Sequence, residues 1–281
     1  MLLNPVGNFF NWKYTNWTTP SSSSAGTSVI PGASNAEGAW TQIASAANIA
    51  QDVYCIWIMV SSGSSSSNQK DHLLDIGVDP AGGTSYTAII NNIVCGQSTP
   101  AFNGGKQFVF PIFIKAGSSV AVRVQGSNAT AGTVRVSMYF YGQPTNPEAV
   151  LVGQYSETVG TITGSAGVAF TPGNAADGVW ASLGVTTRPC WWWQLCPQVS
   201  NGTITAQYTF VDLAYGDGTN MVMIIEGLYM LYNTTSEDQE QPISLIHGFC
   251  DVPAGATLYV RGHCNGAPAT GYNAVAVGIG G

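Results

Sequence analysis

An internal repeat constrains this chain more than any other feature. Ala36-Glu37-Gly38-Ala39-Trp40 returns 140 residues later as Ala176-Asp177-Gly178-Val179-Trp180. Ala116-Gly117-Ser118-Ser119-Val120-Ala121-Val122-Arg123 returns 138 residues later as Ala254-Gly255-Ala256-Thr257-Leu258-Tyr259-Val260-Arg261. Between these landmarks Leu74-Asp75-Ile76 answers Val211-Asp212-Leu213, and Ala88-Ile89-Ile90 answers Met223-Ile224-Ile225. The spacing is almost constant, so the chain must hold two domains of one fold. Solenoid repeats are far shorter, at roughly 20 to 50 residues.

The residues inside each copy read as strand. Val120 to Gln125 and Thr133 to Tyr139 alternate apolar with polar or small side chains, the period of a half-buried strand. Asp52 to Val60 is β-branched and aromatic and runs into the serine-rich loop from Ser61 to Ser67. Lys115-Ala116-Gly117-Ser118 and Pro253-Ala254-Gly255-Ala256 read as tight turns, with glycine at the position that needs positive φ. No dozen-residue stretch carries a capped helical stripe. The expected fold is all-β: two tandem antiparallel β-sandwiches of jelly-roll type. The expected divisions are an extended N-terminal arm over 1–31, a first sandwich over 32–143, and a linker with the second sandwich over 144–281. Pro144 and Pro147 lie in that linker, and Tyr155 to Phe170 leads into the second copy.

Composition narrows the function. Only 8% of residues are charged, and 8 Lys plus Arg against 15 Asp plus Glu leave a net charge of −7. A phosphate-tracking basic stripe cannot be built from so few cations, so no nucleic-acid partner is expected. The 45% hydrophobic content is enough for a core in each copy. The N-terminus lacks a basic segment followed by an apolar one, so no secretory signal is expected. The apolar runs Val53 to Val60 and Met221 to Tyr232 are too short for a membrane helix, so no membrane partner is expected either. Six cysteines are too sparse for a disulfide scaffold and read as free thiols in the core. The sequons at Asn16, Asn128, Asn201 and Asn233 read as chance products of a Ser/Thr-rich chain.

Chemistry-bearing motifs are absent. There is no G-x-S-x-G, H-E-x-x-H, phosphate loop or G-x-G-x-x-G, so no catalytic residue, cofactor or metal is expected. His72, His247 and His263 fall on separate segments. Asp75 and Asp212 match between the copies but give one acid per domain, short of the pair that glycoside hydrolysis needs. Asp79 and Asp217 read as turn formers ahead of calcium ligands. Arg123 and Arg261 also match, and each is placed to pair with Asp75 or Asp212 of its own copy. The candidates for partner binding are aromatic: Trp12, Tyr14 and Trp17 on the arm, and Trp191 and Trp193 of the Trp191-Trp192-Trp193 triplet. The arm either docks on a neighbour or folds back on its own domain. The triplet has three readings, in order core, subunit interface and carbohydrate contact.

Leu74-Asp75-Ile76-Gly77-Val78-Asp79-Pro80-Ala81-Gly82-Gly83-Thr84 and Phe110-Pro111-Ile112-Phe113-Ile114-Lys115-Ala116-Gly117-Ser118 resemble segments of tailed-bacteriophage virion structural proteins of the tandem jelly-roll type. The resemblance covers the first copy well and the second loosely, where His247 to Gly255 departs from the aromatic-proline start. It implies a capsid decoration or cement protein, or a head or tail fibre component, that contacts the major capsid protein or other virion subunits. It also implies a homotrimer assembled in the host cytoplasm and, for a fibre, contact with surface polysaccharide during host attachment. The alternative class is a carbohydrate-binding or sugar-cleaving module.

Overall fold

The computed structural model describes residues 14–17, 26–62, 72–95, 106–127, 133–142, 151–162, 164, 166–199, 207–232, 247–266 and 272–281. Among them there are strands and turns and no helix. The first copy contributes β1 (Tyr14–Trp17), β2 (Thr27–Val29), β3 (Thr41–Ala44), β4 (Cys55–Ser62), β5 (His72–Asp79), β6 (Thr87–Val94), β7 (Lys106–Phe110), β8 (Ser119–Gly126) and β9 (Val134–Tyr141). The second contributes β10 (Tyr155–Val159), β11 (Val168–Phe170), β12 (Gly173–Asn174), β13 (Ala181–Val185), β14 (Cys190–Val199), β15 (Gln207–Gly216), β16 (Met221–Tyr232), β17 (His247–Val252), β18 (Thr257–Cys264) and β19 (Tyr272–Gly280).

The two copies share one topology. One sheet of the first runs β1-β9-β4-β7, with β2 also on β9, and the other runs β3-β8-β5-β6. The second repeats this as β10-β19-β14-β17, with β11 on β19, and β13-β18-β15-β16. Pairing is antiparallel except for the two-residue β12 beside β18. Two sheets, each four strand positions wide and wound in this order, form a jelly roll. The registers agree as well: β5 faces β8 with Asp75 opposite Arg123, and β15 faces β18 with Asp212 opposite Arg261. Both expected turns are present, with Gly117 at φ +80° and Gly255 at φ +84°.

One boundary moves. Tyr14–Trp17 and Thr27–Val29 both pair with β9, so these parts of the 1–31 arm are strands of the first sandwich. The lead-in from Tyr155 to Phe170 likewise contains β10 and β11, which pair with β19 of the second sandwich. Residues 143–150, with Pro144 and Pro147, lie outside the described residues, as do the sequons at Asn128, Asn201 and Asn233.

The sandwiches are not beads on a string. One continuous apolar core joins Ile56, Ile58, Leu74, Ile76, Phe108 and Phe110 of the first to Trp192, Cys196, Val275, Val277 and Ile279 of the second. Trp193, Leu195, Leu213, Val260, Ala274 and Ala276 fill the second sandwich's own core. Successive residues of a strand point to opposite faces, so the β14–β19 layer is buried on both. One face closes its own sandwich, and the other is seated against the β6 and β7 edge of its neighbour. Every residue of β19 is correspondingly buried.

Candidate functional site

The repeated acids and arginines form a matched pair of clusters. Arg123 Nε donates to Asp75 at 2.8 Å, its Nη1 reaches Glu37 at 2.5 Å, and its guanidinium lies 4.5 Å from the Trp40 ring centre. Arg261 Nε donates to Asp212 at 2.8 Å, its Nη2 reaches Asp177 at 2.8 Å, and its guanidinium lies 4.4 Å from the Trp180 ring centre. The second oxygen of each buried Asp accepts a backbone N–H, from Asn92 or from Gly227, where the chain takes φ +57° and +66°. Each Asp therefore has an arginine on one oxygen and a β6 or β16 irregularity on the other. The expected Arg–Asp pairing is present in both copies, extended by an acid and a tryptophan from the repeated opening motif. With both carboxylate oxygens held, these acids are fold elements.

Burial separates the members of the tryptophan triplet. Trp193 is fully buried in the second core, so it does not present a partner surface. Trp192 is buried on the opposite face, edge-on to Phe110 of the first sandwich and beside His247 of its own sheet. Trp191 is half-buried and packs on the joint core. Of the arm candidates, Trp12 lies outside the described residues, and Tyr14 and Trp17 are placed by their backbone pairing with β9.

Polar groups complete the contact between the sandwiches. β6 and β7 are edge strands, and unpaired strand edges are open to further pairing. Gln194 of β14 accepts the Val109 N–H and donates to the Gln107 carbonyl on β7. The Ser156 and Thr158 hydroxyls of β10 donate to the Ile89 and Asn91 carbonyls on β6. The second sandwich thus caps the β6 and β7 edges of the first.

Its own matching edge remains open. By register Ile89 and Asn91 correspond to Ile224 and Glu226, and Val109 and Pro111 to His247 and Phe249. Along β16 and β17, Val222, Met223 and Phe249 are 47%, 37% and 43% exposed. A second uncovered region lies on the outer face of β15, β16 and β18. Tyr208 and Phe210 are exposed there, and their rings lie 6.0 and 5.4 Å from that of Tyr229. His263 meets Phe210 edge-on and faces Asp177 at 3.7 Å. The first sandwich holds Leu73 and Val94 at the positions of Phe210 and Tyr229, both buried.

The remaining candidates resolve structurally. Asp79 accepts the Ala81 and Ser85 N–H groups, and Asp217 accepts from Thr219 and Asn220, which hold its carboxyl down at about 2. His263 and Cys264 are neighbours on β18 with opposite orientations. The Cys264 thiol lies 3.2 Å from both the Gly173 and the Gly266 carbonyl and donates its one hydrogen to either, while His263 faces outward. Among the described residues no cluster of His, Cys, Asp and Glu is arranged to hold a metal. None of the six cysteines is in a disulfide, and five are buried. Burial raises the thiols of Cys55, Cys196 and Cys250, and those of Cys95 and Cys190 to about 12.

No protein-family model matches the chain, and no curated protein does. Among solved structures it is similar to PNGase F, a glycosylasparaginase from Flavobacterium meningosepticum, at 10% identity over 95% of this chain and 96% of that one, with a TM-score of 0.36. It is similar to the CBM22-1-CBM22-2 tandem domain from Paenibacillus barcinonensis Xyn10C at 11% identity over 92% and 99%, with a TM-score of 0.27. It is also similar to PNGF-II at 11% identity over 96% and 66%, with a TM-score of 0.37. Likenesses at this level carry no argument about activity.

Proposed function

We propose that this protein is a non-enzymatic virion structural protein, most simply a capsid decoration or cement protein that stabilises a head through subunit contacts. One observation carries the reading. The apolar edge of the second sandwich is uncovered, whereas the same edge of the first is packed by Trp192 and capped at Val109, Ile89 and Asn91, with the polar side chains of Thr87 and Asn91 left exposed. Exposed apolar edge strands are contact surfaces or liabilities, and a protein built to be covered tolerates them. The matched acids of the two copies are committed to arginines and backbone amides, which fits a molecule whose work is protein contact. Stability is conferred on a shell by binding its assembled state, through buried area.

A second reading has its own support. The exposed rings of Tyr208 and Phe210 and the half-buried ring of Tyr229, beside His263, Asp177 and Asn265, offer an apolar platform with a polar rim, suited to a sugar face during host attachment. One experiment separates the two. The purified protein is sedimented with heads stripped of accessory proteins and, separately, with host surface polysaccharide. Rebinding that protects heads against heat supports the decoration role. Binding to polysaccharide alone moves the protein to a fibre.

A further inference from the structure

The contact between the two sandwiches has a donor surface and an acceptor surface, and among the described residues there is one unused example of each. The donor surface is the outward face of β14 and β19, whose members Trp192, Gln194, Cys196, Val275, Val277 and Ile279 lie opposite one another in register. The corresponding positions on β4 and β9 are Cys55, Trp57, Met59, Ser137, Tyr139 and Tyr141. That face also carries rings, with Trp57 and Tyr139 5.9 Å apart, and Tyr54, Trp57 and Tyr141 half-buried around Cys55 and Val109. Beside it, β1 places Tyr14 and Asn16 at the register positions that Ser156 and Thr158 occupy on β10. The unused acceptor is the β16 and β17 edge, with Val222, Met223 and Phe249 exposed and Ile224 and Cys250 half-buried.

The charges are opposite in sign. The β4–β9 face carries Arg135, and the open edge carries Glu226 and Asp251. Each surface is the counterpart, within one duplicated fold, of a surface already in contact. We infer that a second copy of this chain seats the β4–β9 face of its first sandwich on the β16–β17 edge of the second sandwich, repeating between chains the contact made within each chain. This rests on the reading of these surfaces as protein contacts and names their partner. The two surfaces differ, so the contact is heterologous: chains add head to tail, and a ring forms when the rotation closes.

A complementation experiment tests this. An edge variant combines Met223→Lys with Phe249→Asp, and a face variant carries Tyr139→Lys. Met59→Lys is a second face variant, and folding of all is checked by circular dichroism. A charge buried at the centre of the contact weakens association about thirtyfold or more. Each variant alone therefore sediments near the chain mass of 29.4 kDa, whereas the wild type sediments as a multiple of it. An equimolar mixture of edge and face variants gives a dimer, because one intact edge meets one intact face. A mixture of folded variants that stays monomeric, a wild type that is monomeric at its highest soluble concentration, or variants that keep the wild-type mass would overturn the inference. Wild type that rebinds stripped heads as a monomer would overturn the self-docking alone. A head-to-tail oligomer that ignores heads would overturn the decoration role alone.

Discussion

The β6–β7 edge of the first sandwich and the β16–β17 edge of the second are the same element of one fold, and they meet different fates. The first is covered by Trp192, Val277 and Ile279 and capped by Gln194, Ser156 and Thr158. The second exposes Val222, Met223 and Phe249. Local sequence reflects the difference. Phe110, which meets Trp192, is replaced by Gly248, and Ile224 lies over that glycine where a Cβ would collide with it. An edge that is always covered can present a ring between its sheets. The open edge instead draws Ile224 over its glycine, which leaves a flatter apolar surface.

The largest test of this comparison removes the ring that joins the copies. Trp192→Ala should cost about 3 to 5 kcal/mol, the range for a large aromatic deleted from a core, and should split a single calorimetric transition into two. A single unshifted transition would mean that the sandwiches are not coupled through this face.

Acid should loosen the same region. Burial lowers His247 from 6.5 to about 4, and its Nδ1 is buried without a hydrogen-bond partner. Between pH 6.5 and 4 the unfolded chain takes up a proton that the folded chain refuses, so stability falls as pH drops through that window. The loss from this group is about 3 kcal/mol at the low end. Melting temperatures of wild type and His247→Gln across that window measure it, and the variant should show the shallower acid dependence.

The shared Arg clusters sharpen the comparison from the other side, because here the copies agree. Arg123→Ala and Arg261→Ala should each cost about 2 kcal/mol in urea unfolding, since each strands an Asp with a single backbone partner and the arginines are partly exposed. Strongly unequal losses would show that the clusters are not equivalent. Gln194→Leu should cost about 1 kcal/mol by leaving the Val109 N–H uncapped, with slower amide protection lost locally on β7. Met223→Lys should change monomer stability by less than about 0.5 kcal/mol, being an exposed surface change, while weakening association.

Much of the fold was legible because it was written twice. The repeated Asp, Arg and Trp give the registers, and the turn glycines give the hairpin ends, so local rules sufficed for the tandem sandwiches. The fate of the triplet was not local. Trp192 and Trp193 point to opposite faces, and a reading of one sheet leaves one of them outside. Both are inside because a second sandwich lies beyond the sheet. The usable signal was the lack of polar alternation in Tyr272-Asn273-Ala274-Val275-Ala276-Val277-Gly278-Ile279, a run apolar on both faces. Phe210 and Tyr229 were missed for the opposite reason: each alternates with buried neighbours as a core residue would, and only the assembled sheet shows that their side faces outward.

The most direct test of the central claim, that the open edge of the second sandwich is a protein contact, is amide hydrogen exchange on the wild type and on the Met223→Lys, Phe249→Asp variant at matched concentration. Added protection in the wild type is expected, confined to β16, β17 and the β4–β9 face. Equal exchange in both proteins along all four strands would contradict it.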